Sequence, residues 1–433
     1  MKDGRPGVMR ADAAVVGAGP AGIAAATELA EAGRRVVLLD ESETPGGQIW
    51  RHRAGAIPAA AQPWIRRLRR SGAMLVGGAT AVDLREAHGG DRLEVVAERG
   101  IVPTLVQADA LLLAGGARER FLPFPGWTLP GVIGVGSAQA LLKGGLQVSG
   151  KRAVIAGSGP LLLPVAASLA RAGARVQLVA EQASRASVMR FARGLWRTPG
   201  TLVQAARYRA EFRRAPYVMD TWITAARGDG RVQEVTVTDG TTERVIACDL
   251  LCAAYGLVPN MRLARLMECE TSLAGVVVDD RQRTSHARIW AAGETTGIGG
   301  VEKSLVEGRI AAAAMLGRAP DRSLLRRRAA AIAMAALMDR AFALRDELRH
   351  LATPETIVCR CEDVRLGALR PEWSTRQAKL YTRLGMGACQ GRVCGAALTF
   401  LRDWPIDATR VPSSPALLST LLAEPGKPDG VRR

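Results

Sequence analysis

Ala13-Ala14-Val15-Val16-Gly17-Ala18-Gly19-Pro20-Ala21-Gly22 decides how this chain folds. Four apolar residues run into a glycine turn, an Ala-rich stretch follows to about Ala32, and a second apolar run, Val36 to Leu39, ends at Asp40. That order predicts strand, turn, helix and strand, a complete βαβ unit. Gly17 makes the tight bend, Gly19 lets backbone approach a pyrophosphate, and Gly22 lets helix and strand pack closely. The helix N-terminus then faces phosphate. Asp40 lies 23 residues after Gly17, at the end of the second strand, where a carboxylate can accept hydrogen bonds from an adenosine ribose.

The pattern recurs at Arg152, with strand Ala153 to Ala156, turn Gly157-Ser158-Gly159-Pro160-Leu161-Leu162, a helix to about Ala172 and strand Arg175 to Val179. Leu162 replaces the third glycine, and its bulk is expected to push the helix from the strand or to fill the nucleotide's place. Glu181 comes slightly late for a ribose contact, and no Arg cluster offers to read a 2′-phosphate. NAD(P) binding here therefore stays open, against a scaffold that has lost it.

Two more apolar strands run into glycine, Leu111 to Gly116 and Arg288 to Glu294; the second precedes Gly297, Gly299, Gly300 and a helix from Val301 to Met315. A flavin gives this a purpose, with Glu294 on the ribityl chain and the helix N-terminus toward the pyrophosphate or the pyrimidine edge. The expected fold is α/β with two Rossmann-like dinucleotide-binding domains, the second inserted in the first. A split FAD domain takes 11–120 and 276–317, and the inserted NAD(P)-binding-like domain takes 121–275. An Arg-rich helical linker, 318–350, carries an apolar stripe of Leu324, Leu325, Ile332, Leu337, Phe342 and Leu344 and leads to a small helical, cysteine-rich domain, 351–433.

The 433 residues, 48% hydrophobic and 23% charged, exclude a single small module and a disordered chain. A net charge of +18 raises nucleic acid as a partner, but nearly all the bases are Arg and no basic run is interleaved with aromatics, so none is expected. Every long apolar stretch is cut by Gly or charge or is too short to span a membrane, and no apolar leader follows Met1. A cytoplasmic protein that reaches a membrane only through partners is the expectation.

Four of the seven cysteines stand in two close pairs, Cys359-Arg360-Cys361 and Cys389 to Cys394. Four thiolates complete either a zinc site or an iron–sulfur cluster. A zinc ribbon more often shows C-x₂-C pairs than this C-x-C and C-x₄-C combination, which favours the cluster, and Gly385, Gly387, Gly391 and Gly395 leave room for N–H groups to approach sulfur and tune its potential. Cys248, Cys252 and Cys269 lie in apolar context and read as buried structural residues. No cysteine pair occurs near Gly47 or between Pro130 and Gly150, which excludes a dithiol reductase. His52, after Gln48, is the one histidine near the expected flavin side.

Leu38-Leu39-Asp40-Glu41 with Pro45-Gly46-Gly47-Gln48-Ile49-Trp50, Gly116-Ala117-Arg118-Glu119-Arg120-Phe121-Leu122-Pro123-Phe124-Pro125-Gly126-Trp127, and Gly385-Met386-Gly387-Ala388-Cys389-Gln390-Gly391-Arg392 together resemble the α subunits of heteromeric dye-linked amino-acid dehydrogenases. That group includes opine oxidase A subunits, a hydrogen cyanide synthase subunit, and the D-hydroxyproline and L-proline dehydrogenase α subunits. The body is similar to the thioredoxin reductase-like superfamily without its disulfide, and the last domain resembles bacterioferritin-associated ferredoxin. The likeness covers about Asp12 to Ala397. Ala114-Gly115-Gly116 departs from the usual Ala-Thr-Gly, and Glu294 stands where Asp is usual.

The resemblance implies FAD at Gly17, Gly19, Pro20, Ala21, Gly22, Asp40, Glu41, Gly47, Gln48, Val82, Ala114, Gly115, Gly293 and Glu294, and a [2Fe–2S] cluster on Cys359, Cys361, Cys389 and Cys394. It places substrate oxidation in a separate FAD-containing β subunit of the amino-acid oxidase type, so no catalytic base is expected in this chain. FMN at a subunit interface, a quinone or dye acceptor and a small iron–sulfur γ subunit belong to the same expectation. Two rivals stay open: an NAD(P)H-dependent ferredoxin-type reductase, and an assembly or iron-handling protein.

Overall fold

Val8–Val16 (β1) is paired on both sides, parallel to Val36–Leu39 (β2) and to the long strand Val102–Leu113, and β2 is buried on both faces as a strand covered by helices must be. The computed structural model describes residues 7–52, 56–197, 199–405 and 409–423. The expectations for the first six residues and for the end of the last domain lie outside these.

The described chain forms two compact units, and the first takes the residues up to 118, those from 258 to 335, and those from 409 to 423. Its sheet runs in the order Met74–Val76, β2, β1, Val102–Leu113, Leu93–Arg99, Ala79–Glu86, the last two joined antiparallel. Ile289–Ala291 returns from far along the chain to pair in parallel with Leu111–Leu113. Helix α1 (Pro20–Glu31) lies against the helix Gly300–Met315, and Arg309 joins them with a 2.6 Å bond to Glu28. Residues 409–423, expected in the last domain, pack on this first sheet instead. Ser413 N–H donates to the Val82 carbonyl (2.7 Å), Thr420 donates to Glu98 (2.8 Å), and Leu421 and Ala423 cover Val82, Val96 and Leu105.

The second unit, residues 119–257 with 336–405, holds a five-stranded parallel sheet. Its order is Tyr217–Val218, Arg175–Glu181 (β4), Arg152–Gly157 (β3), Leu250–Ala254, Val132–Gly134, and a three-stranded antiparallel meander follows between 222 and 247. Leu162 opens helix α2 (Leu162–Arg171) and is fully buried with Ile155 and Val165. It neither breaks the helix nor enters the turn, because α2 starts two residues later relative to its glycines than α1 does. A bulge between Val176 and Leu178 absorbs the residue that made Glu181 late, and sets Glu181 opposite Gly157.

The expected linker is a helix, Arg322–Ala341, and a 3₁₀ turn, Asp346–His350. Leu324 and Leu325 pack on Val306 and Ile310 in the first unit, whereas Leu337 and Phe342 belong to the second. The cysteine segment pairs Ile357–Cys359 with Val364–Arg365 and adds helices Thr375–Thr382, opened by a Ser374/Gln377 capping box, and Cys394–Arg402. Its small core is Val358, Leu369, Ala378, Leu384, Leu398 and Trp404. No helix among the described residues is long and apolar enough to cross a membrane.

Candidate functional site

The first glycine turn is closed behind and open in front. Gly17 takes φ +107°, and a Cβ there would lie 2.2 Å from the Ala114 carbonyl oxygen; one on Gly22 would lie 1.8 Å from the Gly17 oxygen. The strands can therefore converge on the turn only with glycine at both places. Gly19 is the N-cap of α1, Pro20 occupies N1, no acidic residue sits in the first turn, and none of the described side chains caps it. A Cβ on Gly19 would meet nothing within 4 Å. Gly46 N–H donates to the Ala18 carbonyl (2.7 Å) and brings Gly47 against Gly19. Beside them opens a cleft of ≈ 460 Å³ lined by Glu41, Ser42, Glu43, Thr44, Gly47, Arg51, His52 and Thr80.

Asp40 does not face this cleft freely. It is buried, and its two oxygens accept N–H bonds from Ala18 (2.5 Å) and Ser42 (2.7 Å). Burial raises its carboxyl above the usual range against the pull of those donors. Asp40 ties the glycine turn to the end of β2, and Glu41 and Glu43, both exposed, are the carboxylates lining the cleft. Gln48 is exposed and accepts from Arg51 Nε (3.1 Å). Val82 departs from the expectation: its side chain is fully buried and its carbonyl is taken by Ser413, while Thr80, two residues earlier, reaches the cleft.

The return segment closes the other side. Thr295 Oγ1 donates to the Gly116 carbonyl and Asn260 Nδ2 to that of Gly115, each at 3.4 Å, and Gly293 lies against Ala21. Glu294, expected on a ribityl chain, turns to the helix Gly300–Met315 (α3) and accepts its first N–H, from Gly300 (3.2 Å); burial raises its pKa. Beneath this turn lies a buried ionic network that the sequence reading missed. Lys303 Nζ donates to Glu307 Oε2 (2.8 Å), Thr296 Oγ1 (2.9 Å) and the carbonyls of Gly293 (3.0 Å) and Gly297 (3.1 Å). Glu307 also accepts from Gly293 N–H (2.9 Å) and Arg328 Nε (3.2 Å). A Lys–Glu pair at i,i+4 normally reads as a solvated helix face. Here both residues are buried, 4% and 1% exposed, and they fix the Gly293–Gly297 turn. The one available signal was a lysine in a chain whose bases are nearly all Arg.

The four paired cysteines fall into two contacts. Cys359 accepts from the Cys394 thiol and from the N–H groups of Gly385, Glu362 and Cys361, which lowers it to about 6. Cys394 is pushed up by the same contact and by burial. Cys361 contacts Cys389 and takes its N–H; that donor lowers its pKa, but burial and the Cys389 thiol outweigh it. Gly387 lies so close to Cys361 that a Cβ would come within 2.4 Å of the cysteine's own. Among the described residues no three His, Cys, Asp or Glu side chains converge as a single metal ion would ask. Cys248, Cys252 and Cys269 are buried, and burial raises all three thiols.

Residues 11–315 match the model of the pyridine nucleotide-disulphide oxidoreductase family. The chain belongs to that family and is an oxidoreductase. It is 35% identical to the opine oxidase A subunit of Rhizobium meliloti over 90% of this chain and 92% of that one. To hydrogen cyanide synthase subunit HcnB of Pseudomonas aeruginosa it is 34% identical, over 88% and 90% respectively. The crystal structure of L-proline dehydrogenase from P. horikoshii superposes with a TM-score of 0.70 at 19% identity, covering 97% of this chain and 81% of that one, and so shares its fold. The family fold is one that binds FAD or a nucleotide, which agrees with the open turn at Gly19.

Proposed function

We propose that this chain is the electron-transfer subunit of a heteromeric amino-acid dehydrogenase, with FAD in the first unit and a [2Fe–2S] cluster in the cysteine domain. The observation that carries the reading is the uncovered start of α1, in a chain similar over about nine-tenths of its length to oxidase and synthase subunits. The residues fit a flavin dinucleotide. Gly19, Pro20 and Ala21 would hold the pyrophosphate at an uncapped helix start, with Gly47 closing over it. Glu41, rather than Asp40, would take the adenosine ribose; Ala114, Gly115, Gly293 and Glu294 would border the other end. Flavin supplies the conversion between two-electron and one-electron transfer.

The cysteines approach two by two, Cys359 with Cys394 and Cys361 with Cys389, which supports the two-iron reading. The Cys394 thiol first, and backbone N–H donors after it, lower Cys359 toward the thiolate, the form that ligates metal. In this reading an FAD-containing β subunit oxidises the C–N bond of an opine, proline, hydroxyproline or glycine, and this chain relays electrons to a quinone or dye.

The test is the absorbance of the full chain purified without air, with flavin, iron and acid-labile sulfide assayed. Cys389→Ser is expected to remove the iron–sulfur absorbance and leave flavin bound. Gly19→Val, which has open space for its Cβ but fills the pyrophosphate's place, is expected to do the reverse. Joint loss in either variant, or zinc without sulfide in the parent, overturns the two-site assignment.

A further inference from the structure

The second glycine turn is shut by the chain itself. Ser158 Oγ donates to the Phe342 carbonyl (2.8 Å), Gln182 Nε2 donates to Ser158 Oγ (2.8 Å) and to the Ala343 carbonyl (3.0 Å), and Arg345 N–H donates to Gln182 Oε1 (3.2 Å). The Phe342 ring lies over Gly159, 4.0 Å from where a Cβ would stand, and meets Phe191 edge-on at 5.1 Å. Arg345 lies over the Trp222 ring at 4.0 Å and pairs with Asp220 at 3.1 Å.

A pyrophosphate at such a turn needs N–H donors and a clear approach to the second glycine. Both are curtailed here. Gly159 N–H is committed to Glu181 Oε2 (2.8 Å), Ser158 N–H to the Ala254 carbonyl (2.7 Å) and Leu162 N–H to the Gly159 carbonyl (3.2 Å), while Pro160 has none to give. The groups brought against the turn are carbonyls, a carboxylate and an aromatic ring, which repel or exclude a phosphate.

The same strap continues into the cysteine domain. Leu348 and Leu351 share a core with Trp127, Trp222, Val393 and Phe400. Arg349 donates to the Phe400 carbonyl and reaches Asp403 at 3.2 Å, and Trp127 Nε1 donates to the Ile357 carbonyl (2.5 Å).

We propose that the second dinucleotide unit takes no nicotinamide cofactor and is the seat of the cysteine domain, with the strap 342–351 lying across its glycine turn where the pyrophosphate would be. This is independent of whether flavin or cluster is present. The experiment titrates the full chain with NADH and with NADPH, following nicotinamide fluorescence and backbone hydrogen exchange together. Neither nucleotide is expected to change protection of residues 157–163 or 342–345 at any concentration to the millimolar range. Saturable binding that alters protection in either segment overturns the closed site.

The second arm compares Phe342→Ala and Phe342→Leu. Loosening the strap with Phe342→Ala is expected to speed exchange in residues 357–404 about tenfold while residues 13–39 stay as in the parent. Phe342→Leu, which keeps an apolar side chain over Gly159, is expected to lie between them and covers the case in which the smaller variant does not fold. Unchanged exchange in the cysteine domain of the variant that folds overturns its role as seat.

Discussion

The two glycine turns share more than a sequence pattern. In each, the acid at the end of the second strand accepts an N–H from the turn and another from the residue two places on: Asp40 from Ala18 and Ser42, Glu181 from Gly159 and Ala183. They differ in what else reaches them. The first meets the Gly46–Gly47 loop and keeps its helix start uncovered; the second meets Phe342 and commits the N–H groups of Ser158 and Gly159. A glycine signature therefore specifies a backbone shape, and the neighbours decide whether that shape has donors left for a ligand.

Gly22 and Leu162 give the largest expected contrast. In the Gly22→Leu variant any Cβ meets the Gly17 oxygen at 1.8 Å, which only a shift of helix against strand relieves, so loss of flavin and of more than about 4 kcal/mol of stability is expected. Leu162→Ala at the matching place should cost about 3 kcal/mol as a cavity and leave flavin content untouched. Flavin assay and urea unfolding of both variants check this; a Gly22→Leu protein with full flavin would erase the distinction.

Besides the lone carboxylate that each glycine turn holds, the first unit buries a paired charge beneath the Gly293–Gly297 turn. Lys303→Met leaves Glu307 buried with Arg328 as its one cationic partner, and about 3 kcal/mol should be lost in urea unfolding. Adding Glu307→Gln should restore part of it, since the buried carboxylate left with half its cationic partners is then gone. A double variant no more stable than Lys303→Met would show that the network acts through shape alone.

Strands, glycine turns and the late return of residues 289–291 were legible because each is a local apolar run ended by glycine. The Asp40 spacing was legible too, but not its inward turn, which depends on two N–H groups that only the folded loop brings to it. Glu181 read as late because a bulge leaves no mark in composition. The burial of Lys303, the seat of Phe342 over Gly159 and the packing of the 409–423 segment were illegible for one shared reason. What buries them is the Gly293–Gly297 turn for Lys303, the second glycine turn for Phe342 and the first sheet for the tail, none of which shows in the local pattern.

Glu181 makes the second comparison pH-dependent. Burial raises its carboxyl from the usual 4.5 to about 7 against three N–H donors. Between those values the folded chain holds a proton that the unfolded chain has released, so stability falls as pH rises and the loss is complete above pH 7. The contribution is at most about 3 kcal/mol. Glu181→Gln is expected to flatten the fall between pH 5 and pH 7.5 in urea midpoints, and an unchanged slope would assign it to other groups.

The smallest expected effect comes from the change that makes the turns most alike. Ser158→Ala gives the second turn the same Gly-Ala-Gly-Pro start as the first, and by sequence pattern it should improve a nucleotide site. The structure implies otherwise. The change removes one donor to the Phe342 carbonyl and one acceptor of Gln182, which keeps its bond to Ala343, so about 1 kcal/mol should be lost. Faster exchange should be confined to residues 342–345, and no NADH binding should appear, because Glu181 still holds Gly159 N–H and the Phe342 ring still covers the glycine. If NADH did bind this variant, a single hydroxyl would have been keeping the site shut. The closure would then be a latch, and not the combined work of the carboxylate, the ring and the strap.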